Sequence, residues 1–117
     1  MEFHDKLKIK MHLCVKYIYR ITRNFPKDEL YGVTSQLRRA ALSIILNYIE
    51  GYARRKSNNC KVYKNFLEIS YGSLKETKYL IYFSYTEGYI NKEDYQKLLI
   101  MNDEIGKMLW STISHIK

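Results

Sequence analysis

Apolar positions along this chain fall at alternating steps of four and three, the interval that keeps side chains on one helix face. Leu7, Met11, Cys14, Ile18, Ile21 and Phe25 form one such seam, predicting a helix from about residue 4 to 24. Pro26 ends it, and Asn24–Asp28 reads as a short polar connection. Thr34 or Ser35 offers an N-cap to a second helix running to about Arg55. Lys56, Ser57, Asn58 and Asn59 mark the next break, with Asn59 or Ser57 capping a third helix through about Tyr85. The third seam is Tyr63, Leu67, Ser70, Leu74, Thr77, Ile81 and Ser84. Gly88 stands where a helix-ending glycine belongs, and Asn91 followed by Glu93 and Asp94 opens a fourth helix. That helix carries Leu98, Met101, Ile105, Met108 or Leu109, Thr112 and Ile116.

Four helices of roughly 20 residues, joined by a few residues each, place sequential neighbours antiparallel. The expected fold is all-α, an antiparallel up-down-up-down four-helix bundle, with residues 1–117 as a single domain. No strand-like alternation competes. The composition agrees: 46% hydrophobic and 27% charged residues are globular values, and 117 residues suffice for a core without disulfides or metal. Cys14 and Cys60 form no CxxC and no disulfide framework, so they read as reduced thiols. The longest nearly apolar run, Ala40–Ile49, is half a membrane span, and Met1–Lys6 does not lead into a signal-peptide core. The expectation is a cytoplasmic protein without membrane contact.

The second helix carries more apolar surface than one side can use. Gln36, Arg39, Ser43, Asn47, Glu50 and Arg54 form a narrow polar stripe, and nearly everything else from Leu37 to Ile49 is apolar. A helix apolar almost all round is buried on more than one side. The surplus, assigned to Leu42, Ile45, Leu46, Tyr48 and Ile49, therefore reads as an oligomer interface. The alternative is a somewhat apolar monomer surface. The polar stripe reads as a solvated face or an internal hydrogen-bond network, and Glu50 with Arg54 makes a favourable i,i+4 pair. Ser70, Ser73, Thr77 and Ser84 read as small residues that permit close helix approach.

Charge changes the picture further. The formal net charge is +8, and all the excess lies early: residues 1–64 hold 14 Lys/Arg against 5 Asp/Glu, while residues 65–117 hold 6 against 7. It concentrates at Arg38 and Arg39, and at Arg54, Arg55 and Lys56 followed by Lys61 and Lys64, with Tyr52 and Tyr63 alongside. Guanidinium and ammonium groups contact phosphates while tyrosine rings stack on unpaired bases, so these nine residues are the candidate nucleic-acid contacts. Basic residues at a helix C-terminus also suit the helix dipole, the structural alternative for Arg54 and Arg55. Lys75, Lys78, Tyr71, Tyr82 and Tyr85 make a second basic–aromatic face.

Catalytic and metal signatures are absent from the sequence. No Glu-x-x-His pair precedes His12 or His115, and there is no HExxH, P-loop or GxGxxG motif. His4, His12 and His115 read as surface histidines. No catalytic residue, metal ligand or cofactor is expected.

The run Tyr31-Gly32-Val33-Thr34-Ser35-Gln36-Leu37-Arg38-Arg39-Ala40-Ala41-Leu42-Ser43-Ile44, followed by Asn47 and Glu50-Gly51, resembles a known signature. It is that of the four-helix-bundle proteins encoded by intervening sequences within bacterial 23S ribosomal RNA genes. Phe25-Pro26-Lys27, Gly72-Ser73-Leu74-x-Glu76 and Gly88-Tyr89-Ile90 fit as well, so the resemblance spans essentially the whole chain. Ile45 stands where a proline is common, and Leu46, Tyr48 and Ile49 where smaller residues are usual, which implies a straighter, bulkier second helix. The family is similar in fold to accessory proteins of diversity-generating retroelements, which form homopentamers and bind RNA with a reverse transcriptase. What the resemblance implies is a non-enzymatic homo-oligomer, pentamer favoured, whose partners are itself, RNA or DNA, and a nucleic-acid-processing protein such as a reverse transcriptase. Five copies would gather a formal charge of about +40, a strong attractor for structured RNA. The expected function is RNA binding as an accessory factor in a ribonucleoprotein; the alternative is a protein–protein interaction scaffold without nucleic-acid binding.

Overall fold

The computed structural model describes residues 1–56 and 60–116. Helices α1 (Phe3–Thr22), α2 (Ser35–Ala53), α3 (Cys60–Thr86) and α4 (Lys92–Ser114) form an up-down bundle of 47 × 27 × 19 Å. Packing runs around a closed square: α1 lies on α2 and α4, and α3 lies on the same two helices, with α2 against α3 the most extensive contact. No helix among the described residues is long and apolar enough to cross a membrane.

The hydrophobic spacing explains the core. Leu7, Met11, Cys14, Ile18 and Ile21 of α1 all point inward, and Phe25 beyond its end closes the bottom of the same cluster. Burial pushes the Cys14 thiol up to about 12, which leaves it inert at neutral pH. From α3 the six seam residues Leu67 to Ser84 are buried, with Tyr63 half-buried above them. From α4 come Leu98, Ile105, Leu109 and Ile113, with Asn102 beside them.

Both ends of the α3–α4 connection follow the expected chemistry. Gly88 takes φ 79°, and the backbone N–H groups of Gly88 and Tyr89 donate to Tyr85 and Ser84 carbonyls at 3.0 and 2.9 Å. That is a Schellman ending, which a left-handed glycine makes easy. Asn91 Oδ1 accepts from the Asp94 N–H at 2.7 Å and caps α4.

The entry to α2 differs from expectation. After Pro26 the chain makes a single 3-10 turn, Lys27–Glu29, then a wider π-type turn, Leu30–Thr34, that runs directly into α2. Thr34 is already helical and its hydroxyl, buried, has no partner among the described residues; the Ser35 hydroxyl donates to Gly32 O. Neither residue caps the helix. The backbone kinks at Gly32 (φ −106°, ψ −119°) and is helical again by Thr34, and Glu29 Oε1 accepts from the Val33 N–H at 3.5 Å. The expected cap of α3, Asn59 or Ser57, lies outside the described residues.

Small polar residues let the helices approach. The Ser70 hydroxyl donates to Ile44 O at 2.6 Å, across from α3 to α2, and Asn102 Nδ2 donates to Leu74 O at 3.3 Å, from α4 to α3. Thr77 and Ser84 donate to carbonyls one turn earlier in α3. Ser70, Thr77, Ser84 and Asn102 are thereby satisfied, unlike the Thr34 hydroxyl; a buried polar group left alone costs about 1–3 kcal/mol.

Gly51 marks the closest approach. A Cβ there would sit 2.9 Å from Phe66 Cβ and 3.3 Å from Tyr63 O, so α2 and α3 would have to separate. Gly72, on the exposed face of α3, has nothing within 4 Å of such an atom. Gly51→Ala should therefore lose about 1–3 kcal/mol from overpacking, against a helix-propensity gain of about 1 kcal/mol. Gly72→Ala should gain up to about 1 kcal/mol. Urea denaturation checks both; equal stabilisation of the two variants would contradict the packing.

Candidate nucleic-acid interface

The nine basic and aromatic residues singled out in the sequence do not form one surface. Sixteen positions separate Arg38 from Arg54, about 24 Å along a helix, so the set divides between the two ends of α2.

At the beginning of α2 the arginines are structural. Arg38 Nε donates to Thr22 Oγ1 at 2.8 Å, and its guanidinium lies 4.7 Å from the Tyr19 ring centroid, tying α2 to α1. Arg39 pairs with Glu76 and donates to Gln36 Oε1 at 3.0 Å, tying α2 to α3. The polar stripe continues this lacing: the Ser43 and Ser73 hydroxyls lie 2.7 Å apart, and Asn47 Nδ2 donates to Ser43 O at 2.9 Å. The internal-network reading of that stripe fits these contacts.

At the other end, Arg54 donates to the Glu50 carbonyl at 2.8 Å and to its carboxylate at 2.6 Å, and packs 5.1 Å from the Phe66 centroid. Arg55 donates to Tyr52 O at 2.9 Å. Both arginines thus serve the last carbonyls of α2, as the helix dipole favours. Exposed Lys56 follows, and α3 begins with exposed Lys61 and half-buried Lys64. The first turn of α3 holds no acidic residue.

Tyr52 must be corrected as a base-stacking residue. His4 stacks on its ring at 3.4 Å, nearly parallel at 10°, and the Arg55 guanidinium lies 3.7 Å from the same centroid. Two groups so close cannot share a face, so both faces of Tyr52 are covered. Tyr63 is half-buried against the core, its hydroxyl raised chiefly by desolvation.

His4 is the contact that sequence reasoning missed. Its Nδ1 lies 2.8 Å from the Tyr48 hydroxyl, 44 residues away, joining the start of α1 to the end of α2. No local signal marks this, because the pairing exists only when the helices close. Tyr48 itself is 2% exposed. It must be removed from the expected oligomer interface, since its ring belongs to the core and its hydroxyl meets His4. Leu46 and Ile49 are exposed and Leu42 and Ile45 half-buried, so the rest of that set does reach the surface. Leu42 and Leu46 line an open groove of about 690 Å³ with Tyr19, Leu30 and Tyr31.

The geometry defines a four-helix bundle in which Arg54, Arg55 and Lys56 close α2 and Lys61 and Lys64 lie in the opening turns of α3. Among the described residues, no three His, Cys, Asp or Glu side chains come together. The chain matches the 23S rRNA-intervening sequence protein family over residues 6–111, and it belongs to that family. It is similar in structure to a protein with unknown function from the S23 ribosomal protein family of Bacteroides thetaiotaomicron. That likeness has a TM-score of 0.85 and 22% identity, covering 97% of this chain and 99% of the other. At that identity the likeness shows the fold. No curated protein matches.

Burial, and then the nearby Lys8 ammonium, hold the His4 imidazole below its ordinary value, with Arg55 adding to the effect and Asp5 and Glu2 opposing it. The neutral ring is the form that accepts from the Tyr48 hydroxyl. A depressed folded pKa means that the unfolded chain binds the proton first. The His4 contribution is therefore complete above about pH 6.5 and disappears as pH falls through the folded value. Wild type should lose more urea stability than His4→Gln between pH 7.5 and 5. Parallel pH profiles would contradict the contact.

Proposed function

We propose that the protein is a non-catalytic, self-associating bundle that binds structured RNA through the α2–α3 end, as an accessory component of a ribonucleoprotein. The observation that carries this reading is the placement of Lys61 and Lys64 in the opening turns of α3. The helix dipole disfavours cations there, and no acid in the first turn compensates. Phosphate binding suits such a placement: Arg54, Arg55 and Lys56 precede them along the chain, and Lys8 comes close enough to bear on His4. Membership of a family named for ribosomal RNA genes supports the reading, as does the +9 carried by residues 1–64. Arg38 and Arg39 drop out of the phosphate set, because α1 and α3 hold them.

Neutralising about five phosphates gives log K against log salt a slope of roughly −3.5 to −4.5. Replacing Arg55, Lys56, Lys61 and Lys64 with Ala should flatten that slope and weaken hairpin binding while leaving helicity intact. Unchanged affinity in filter binding would remove the site.

Self-association rests on the groove beside α2, where Leu30, Tyr31 and Leu46 are 48%, 92% and 55% exposed. Apolar side chains that open to water in one groove fit a subunit contact. Leu46→Asp should shift the particle to a monomer by light scattering; a wild-type protein already monomeric at tens of micromolar would contradict the oligomer. The same groove supports the second reading, a scaffold for another protein. Partner capture that survives nuclease, with no RNA bound at low salt, would favour it.

A further inference from the structure

The α3–α4 face carries a second set of groups that neither the core nor the α2–α3 end uses. Two shallow grooves flank Lys75 and Lys78 of α3. One, of about 250 Å³, extends to Tyr71, Asn102, Lys107 and Trp110; the other, of about 330 Å³, to Tyr79, Tyr82, Tyr95 and Leu99. Three of the large rings stand in water: Tyr79 is 61% exposed, Trp110 55% and Tyr82 52%. Trp110 leans on Tyr71 with centroids 5.4 Å apart, and Lys75 Nζ lies 5.1 Å from the Tyr71 centroid. From Tyr95 to Trp110 the face runs about 22 Å along α4.

Residues 65–117 carry 6 Lys/Arg and 7 Asp/Glu, but the charged lining of the two grooves is Lys75, Lys78 and Lys107 against Asp103. Glu76 is paired with Arg39 of α2, Glu104 with Lys10 of α1 at 2.5 Å, and Asp103 with Lys78 at 3.4 Å. Lys75 and Lys107 make no ion pair among the described residues. What remains in the grooves is ammonium groups beside exposed aromatic faces.

We propose that this face is a second RNA site, one that takes the unpaired bases of a single-stranded segment. The proposal rests on the RNA-binding reading above and divides the labour within it. The α2–α3 end has cations but its tyrosine rings are covered; the α3–α4 face has open rings and fewer cations. Phosphates of the strand meet Lys75 and Lys107, while bases stack on Trp110, Tyr79 and Tyr82. Stacking platforms of this kind tolerate any base, because every base presents a π face.

The chain has a single tryptophan, so its fluorescence reports this face alone. The full chain is titrated with oligo(A) RNA and, separately, with a blunt RNA hairpin lacking unpaired tails. Oligo(A) should quench Trp110, and Lys75→Ala with Lys107→Ala should weaken that binding at least tenfold while hairpin affinity changes less than twofold. Tyr79→Ala, an exposed single change, should weaken oligo(A) binding in the same direction and decides the matter if the double variant does not fold. Replacing Arg55, Lys56 and Lys64 should give the opposite pattern. Hairpin binding without any oligo(A) quench would overturn this site and leave the first reading standing. Quenching by an arginine-rich peptide but not by oligo(A) would assign the face to a protein and overturn it as well. Failure of both RNAs would overturn the RNA-binding reading and this site with it.

Discussion

The structure depends on how closely α2 lies against α3. Gly51 lets the backbone of α2 pass Phe66 and Tyr63, and Ser70 reaches across to Ile44 O without needing water. Within one turn of that bond the Ser43 and Ser73 hydroxyls meet, and about one turn further Arg39 crosses to Glu76. Together these contacts fix the distance and register of the two helices along most of α2. They also draw on its polar stripe, with Ser43 and Arg39 reaching α3 and Asn47 bonded back to Ser43. Packing of α1 and α4 completes the square, and the long-range ties His4 to Tyr48 and Tyr17 to Asp94 pin α1 at both its ends.

Function follows from what that lacing leaves over. Arginines that could have formed a basic face at the start of α2 are taken by Thr22, Tyr19 and Glu76. At the other end of the same helix the cations cluster, because Lys56, Lys61 and Lys64 follow Arg54 and Arg55 along the chain. The positive end of the α3 dipole points the same way.

The fold was legible because heptad spacing is a local property. Leu7 to Ile21 and Leu67 to Ser84 announce their buried faces within each helix, and Gly88 and Asn91 announce the ends. Thr34 misled because its residue type suits a cap, while its own backbone is already helical and the Glu29 carboxylate meets the Val33 N–H just before it. The candidate site was only half legible. Charge density along the sequence found the cations, but it could not show that Tyr52 is enclosed by His4 and Arg55, since that enclosure joins residues about fifty positions apart. Tyr48 failed as an interface residue for the same reason: helical spacing placed it beside Ile49, and only the closed bundle turns it toward His4.

The most direct test is an NMR titration of the labelled chain with a structured RNA hairpin, following backbone amide shifts. The account gives the largest shifts from Tyr52 to Lys64 and around Lys8, with the start of α4 at Glu93 and Asp94 unmoved. Shifts centred on Arg38, Leu46 and Tyr31, or none at low salt, would contradict it.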